Sequence, residues 1–82
     1  MINEETMKRS LIVIIQNGCA EREWSMTEFC ERVKVSRPSF YRYIRGERYF
    51  PLPLLVRIAL VFGMKPSELI QQAEEYSRGY WG

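Results

Sequence analysis

The sequence contains no histidine and no aspartate, and it has only two cysteines, Cys19 and Cys30. Without histidine the commonest general base and the commonest metal ligand are missing, and every histidine-based catalytic triad is excluded. Two thiols cannot form a closed four-ligand zinc site unless glutamates complete it. We therefore expect no metal site, no cofactor and no enzymatic activity.

Long apolar runs are also missing. No uninterrupted run exceeds five residues, as in Leu11 to Ile15, whereas a membrane helix needs roughly 20. The first charged residues are Glu4 and Glu5, so no basic signal-peptide region is expected. Nothing in the sequence indicates an oxidising compartment, so free thiols are favoured over a disulfide. We expect a cytoplasmic protein in which residues 1–82 form one domain.

Positive charge is concentrated in one third of the chain. Between Arg32 and Arg57 there are seven basic residues and one acid, Glu47, which gives a local charge of +6. The rest has five basic and nine acidic residues, hence −4, and the two parts give the net charge of +2. Such a local excess is typical of a protein with a polyanionic partner, and a merely solvated charged face is the alternative.

Glycine and proline divide the chain into five segments with helical spacing and no alternating strand pattern, which predicts an all-α fold. The first helix is predicted to begin after the cap Asn3. Its end is placed at Asn17-Gly18, although helix could continue through residues 19–23. The positions predicted to be buried are Met7, Leu11, Ile14 and Ile15.

The second and third segments predict a helix-turn-helix. Ser25 and Glu28 match a capping box, so a helix is predicted over about residues 26–33. A turn follows, and Ser36 caps the next helix, predicted over about residues 37–45. The inward positions are Phe29, Cys30 and Val33 on the first of these helices and Phe40, Tyr43 and Ile44 on the second.

Two further helices complete the predicted fold. The fourth is opened by Pro51 and Pro53 and ends at Gly63, and the fifth begins around Pro66. An aromatic tail is predicted over residues 76–82. The apolar positions of the two helices are Leu52, Leu55, Ile58, Ala59 and Phe62 on the fourth and Leu69, Ile70 and Ala73 on the fifth.

From Ser25 to Leu69 the order and spacing of these features resemble the lambda-repressor-like, or Cro/CI-type (XRE), helix-turn-helix family. The resemblance covers about 45 of the 82 residues and implies a compact five-helix domain. Lys34 departs from the family pattern, which usually has a glycine with a left-handed backbone there. The matching positions are Ser25, Phe29-Cys30, Val35-Ser36, Gly46, Ile58-Ala59, Phe62-Gly63-Met64 and Pro66 to Leu69.

The resemblance also implies a site. In this family the recognition helix enters the major groove of DNA by its N-terminal half. The outward residues that would face base edges are Arg37, Pro38, Tyr41 and Arg42. Pro38 could instead only start the helix, and Tyr41 could be a phosphate contact or simply an exposed aromatic residue. The candidates for phosphate contacts are Ser36, Ser39, Arg45 and Arg48, with surface charge as the alternative for the two arginines.

Roles can also be predicted for residues outside the proposed DNA contacts. Arg57 is expected to be solvated or salt-bridged, and Cys30 to be a small packing residue rather than a redox sensor. The tail aromatics Tyr76, Tyr80 and Trp81 could cover the core, bind a second subunit or be disordered. The candidates for a homodimer interface are Leu69, Ile70, Tyr76 and Trp81.

The sequence therefore predicts a sequence-specific double-stranded DNA-binding regulator. A repressor that binds a (pseudo)palindromic operator as a dimer is the favoured hypothesis. The alternatives are an antitoxin of a toxin–antitoxin operon, or a protein-interaction adaptor with the same fold. A toxin or sensor partner cannot be identified from the sequence.

Overall fold

The computed structural model describes residues 3–80, and all regular secondary structure within that range is helical. The predicted all-α fold with five helices is confirmed. Helix α1 packs mainly on α5, α2 packs on α3 and α4, and α4 also packs on α5. The helices are α1 (Glu4–Arg22), α2 (Met26–Val33), α3 (Arg37–Ile44), α4 (Leu52–Val61) and α5 (Pro66–Tyr80).

Helix α1 begins as predicted and ends later than predicted. The Asn3 side chain accepts the Thr6 N–H at 2.9 Å and forms a capping box. The predicted end at Asn17-Gly18 was wrong, and the alternative of a helix through residues 19–23 is confirmed, because the helix continues to Arg22 with Glu23 as its C-cap. A Cβ added at Gly18 would lie 2.7 Å from Cζ of Phe62, so this glycine allows the Phe62 ring to approach α1 closely.

Helices α2 and α3 follow the predicted pattern. The Ser25 hydroxyl accepts the Glu28 N–H at 3.1 Å, and the Glu28 side chain accepts the Ser25 N–H. Helix α3 begins after Ser36, and Gly46 adopts a positive φ of 82° just beyond it. The helix-turn-helix is thus bounded by local signals that the sequence contains.

An aromatic cluster joins three helices at the centre of the core. The fully buried Phe29 ring of α2 lies 5.3 Å from the Phe40 ring of α3 and 5.7 Å from the Phe62 ring at the end of α4. One predicted apolar position of α4 lies outside this core. Leu52 is 71% exposed, and Leu54 is buried in its place.

Helix α5 extends through most of the predicted tail, so the prediction of a tail from residue 76 was wrong for residues 76–80. Tyr76 packs against the core, and its hydroxyl accepts the Asn17 amide at 3.3 Å. Ser77 is buried, with its Oγ 3.2 Å from Oγ of Ser10 on α1. These contacts explain why the last turns of α5 stay helical against α1.

Candidate nucleic-acid interface

The turn between α2 and α3 is short, and its backbone conformation and a side-chain hydrogen bond define it. Lys34 adopts the left-handed conformation (φ 58°, ψ 48°), the one for which the family usually has glycine. The departure therefore leaves the turn intact at a cost of about 1–2 kcal/mol. Nε of Arg57 donates to the Val33 carbonyl at 2.8 Å. Arg57 is exposed to solvent, as expected, and in addition its Nε caps the end of α2.

The outward face of α3 carries Pro38 and Arg42, on the side opposite the buried Phe40, and Arg45 follows at helical spacing as the C-cap residue. All three are exposed. The Arg42 guanidinium has no ion pair or hydrogen bond with any residue in the range 3–80. A planar fork of donors on an exposed helix face can bond O6 and N7 of guanine together.

Arg37 and Tyr41 form a pair one helical turn apart. Nη2 of Arg37 lies 3.4 Å from the Tyr41 hydroxyl, and its guanidinium lies 5.7 Å from the ring centroid. The hydrogen bond to Tyr41 raises the pKa of Arg37, although the guanidinium is charged at neutral pH in any case. Tyr41 thus has an intramolecular role in holding Arg37, whichever contact it makes to DNA.

The two serines at the start of α3 are not equivalent. Oγ of Ser36 accepts the Ser39 N–H at 3.2 Å and donates to Oγ of Ser39 at 2.8 Å. The Ser36 hydroxyl proton is therefore used inside the protein. The Ser39 hydroxyl proton remains available for a phosphate oxygen, because a hydroxyl can accept one bond and donate another.

Arg45 and Arg48 lie beyond the end of α3 and differ in their surroundings. Nη2 and Nε of Arg45 donate to one carboxylate oxygen of Glu47, at 2.8 and 3.1 Å. Arg48 is exposed and has no such partner within the part of the chain that the structure describes. The sequence indicated that Glu47 could form an ion pair, because it is the one acid of the basic region. It did not show that the partner would be Arg45.

We predict that Glu47→Gln strengthens binding to a random duplex by about two- to fivefold, because it frees Arg45 and removes the one acid of the basic region. Fluorescence anisotropy at constant salt measures the change. Glu75→Gln, on the exposed side of α5, is the matched control for net charge. Equal effects of the two substitutions would show that the ion pair does not restrain Arg45.

Some arginines at the surface also contact aromatic rings or carbonyls of the protein itself. The Arg32 guanidinium lies 4.3 Å from the Trp24 ring centroid, which is a cation–π contact. Arg22 lies 5.6 Å from the Trp24 ring centroid and donates to the carbonyls of Gly18 and Phe62 at 3.0 and 3.1 Å. Sequence reasoning missed this role of Arg22, which links the end of α1 to the end of α4.

The cysteines have a packing role. Cys19 and Cys30 are both buried and free. Burial raises the pKa of both thiols, which therefore stay protonated and unreactive at neutral pH.

Within residues 3–80 there is no group of three or more cysteine or acidic side chains that could hold a metal ion. In the same range no helix combines the length and the apolar character needed to cross a bilayer.

The residues predicted for a dimer interface are separated by the fold. Leu69 is fully buried within the subunit, so its prediction as an interface residue was wrong. Tyr76 is half-buried against α1, and Trp81 lies outside the described residues. Ile70, which is 41% exposed, is the most exposed of the three that the structure describes.

Comparison with known proteins identifies the class to which this geometry belongs. The model of the Cro/C1-type helix-turn-helix DNA-binding domain matches residues 15–72, which is more than half of the chain. The chain belongs to this family, and it is a DNA-binding regulator of the lambda-repressor-like type. Neither the curated proteins nor the solved structures gave a match.

Proposed function

We propose that the protein binds a specific double-stranded DNA sequence with the N-terminal half of α3 in the major groove. The observation that carries this proposal is the exposed Arg42, which has no partner among residues 3–80, beside the Arg37–Tyr41 pair on α3. Arg37 and Arg42 would read bases, with Pro38 against a thymine methyl group. Ser39, Arg45 and Arg48 would contact phosphates and fix the position of the helix.

The regulator would act in the cytoplasm as a homodimer. One recognition helix of eight residues covers few base pairs, and two copies would read a (pseudo)palindrome with half-sites about one turn of DNA apart. Occupying an operator that overlaps a promoter excludes polymerase, so we propose repression. An antitoxin of a two-gene operon would use the same DNA-binding mechanism.

Selection of genomic fragments by the purified protein tests the proposal. The expected result is enrichment of fragments that share a short sequence with two-fold symmetry. Failure to enrich any duplex at low salt would contradict sequence-specific binding and leave the protein-interaction adaptor as the better hypothesis.

Salt dependence gives a second, quantitative prediction. If each subunit neutralises about three phosphates, the dimer should show a log–log slope of binding against salt of roughly −5. Titration of the selected duplex between dilute and physiological salt measures the slope. A slope near zero would remove the nucleic-acid interpretation, because phosphate contacts release counterions whenever they form.

A further inference from the structure

Lys8 of α1 is the one charged residue within the described range 3–80 that is buried, with only 8% of its surface exposed. Its Nζ donates to Oε1 of Glu5 at 2.9 Å. Lysine is almost never buried without a partner, because taking an ammonium group out of water is costly. A pair three residues apart can form equally well on the outer surface of a helix. The contact with Glu5 therefore does not explain why Lys8 points inward.

The Lys8 ammonium is directed at the segment between α3 and α4, residues 45–51, which we call the α3–α4 loop. A Cβ added at Gly46 would lie 2.8 Å from Nζ of Lys8, so the ammonium occupies the space beside this glycine. The same Nζ lies 6.0 Å from the ring centroid of Tyr49, at the outer limit of a cation–π contact. Lys8 thus meets the loop at two residues.

A second contact from α1 restrains the same part of the loop. A hydrogen bond to the Glu4 side chain raises the pKa of Tyr49. Because Tyr49 is 63% exposed, packing in the core does not hold it. The next residue, Phe50, does pack inward, with its ring 5.5 Å from that of Tyr43 on α3. The start of α1 therefore restrains the middle of the α3–α4 loop, and the core restrains its end.

We propose that Lys8 is a positioning residue for DNA binding, which holds the α3–α4 loop so that Arg48 is presented to a phosphate. The inference rests on the proposed function, in which Arg48 contacts the DNA backbone. Arg48 lies in the chain between Gly46 and Tyr49, the two residues that Lys8 meets. It is exposed and has no ion pair within residues 3–80, so the backbone on either side determines its place. A loop that is ordered before binding loses less entropy when the phosphate contact forms.

The first test separates positioning from charge. Lys8→Met keeps an unbranched side chain and removes the ammonium, and we expect it to weaken binding to the selected and the random duplex by about three- to tenfold. Glu5→Gln combined with Lys8→Met has the net charge of the unchanged chain. This double variant is expected to stay weak, because the loop is still not held. If only charge mattered, it would regain full affinity.

A double-mutant cycle tests whether Lys8 acts through Arg48. Lys8→Met is expected to weaken binding much less in a chain that already carries Arg48→Ala, because the contact to be positioned is then absent. The matched cycle with Arg42→Ala should be additive, since Arg42 lies on α3 and outside the loop. A general loss of stability would be additive with both. Fluorescence anisotropy at constant salt measures the affinities, and circular dichroism shows whether each variant is folded.

Two exposed residues complete the design. Lys65→Met, just before α5, makes the same change of charge and should leave binding nearly unchanged. Tyr49→Phe removes the hydroxyl that bonds to Glu4 and should weaken both duplexes by about two- to fourfold. It tests the loop without altering a buried residue, and its effect should also disappear with Arg48→Ala.

The proposal is overturned if Lys8→Met and Tyr49→Phe bind like Lys65→Met, if the charge-balanced double variant regains full affinity, or if the cycle with Arg48→Ala is additive. Failure of the unchanged chain to bind any duplex is a separate result, which would overturn the proposed function and this inference with it.

Discussion

Replacing Arg42 with alanine is expected to weaken binding to the selected duplex by about 1–3 kcal/mol per half-site and binding to random DNA much less. The guanidinium is exposed on the outward face of α3 and has no partner within residues 3–80. No intramolecular bond must therefore be broken before it meets a base. Competition titrations of the same variant against two duplexes, cognate and random, measure the difference.

Two further variants provide the controls. Tyr41→Phe removes the hydroxyl that accepts from Arg37 and should cause a smaller loss confined to the cognate duplex. Arg48→Ala should weaken both duplexes equally and reduce the salt slope of the dimer by about two units, because one phosphate contact is lost in each subunit. Circular dichroism shows whether each variant stays folded. If Arg42→Ala lowers both affinities in proportion, Arg42 contacts phosphate and the proposed position of α3 in the groove is wrong.

The helix-turn-helix could be predicted from the sequence because its signals are local. Ser25 and Glu28 lie three residues apart, and Ser36 lies two residues before Pro38, so each cap is contained within one turn of chain. The helical period then places Phe40 inward and Arg42 outward. Local chemistry thus determined where the two helices begin. It also determined which side chains of α3 face outward as candidates for base contacts.

The ends of α1 and α5 could not be predicted in this way, because distant residues determine them. Asn17-Gly18 has the composition of a helix end, but the ring of Phe62, more than forty positions away in the chain, occupies the space at Gly18. Tyr76 and Ser77 stay in α5 because they bond to Asn17 and Ser10 of α1. Tertiary packing outweighed local propensity at both ends.

Helix α4 and the basic region show a different limit. When nearly every position of a helix is apolar, the period cannot indicate which side is buried, so Leu52 and Leu54 could not be distinguished. Counting charges located the basic region but could not show which of its arginines are already engaged. Arg45 bonds to Glu47, and Arg57 bonds to a backbone carbonyl.

Helix α5 offers a matched pair that separates the core from the surface. Leu69→Ala is expected to lower the free energy of unfolding by about 2–5 kcal/mol, because it leaves a cavity at a fully buried position. Ile70→Ala changes a similar side chain one residue later, but that side chain is 41% exposed, so the expected loss is below about 1 kcal/mol.

Urea denaturation followed by circular dichroism at two protein concentrations measures both losses. The two concentrations are needed because dimerisation would make the apparent stability depend on the amount of protein. For a chain of this size the Leu69→Ala loss is also a drop in Tm of about 4–8 °C per kcal/mol. Equal losses for the two variants would contradict a core role that is specific to Leu69. A Leu69→Ala loss that disappears on dilution would show that Leu69 stabilises an interface between subunits.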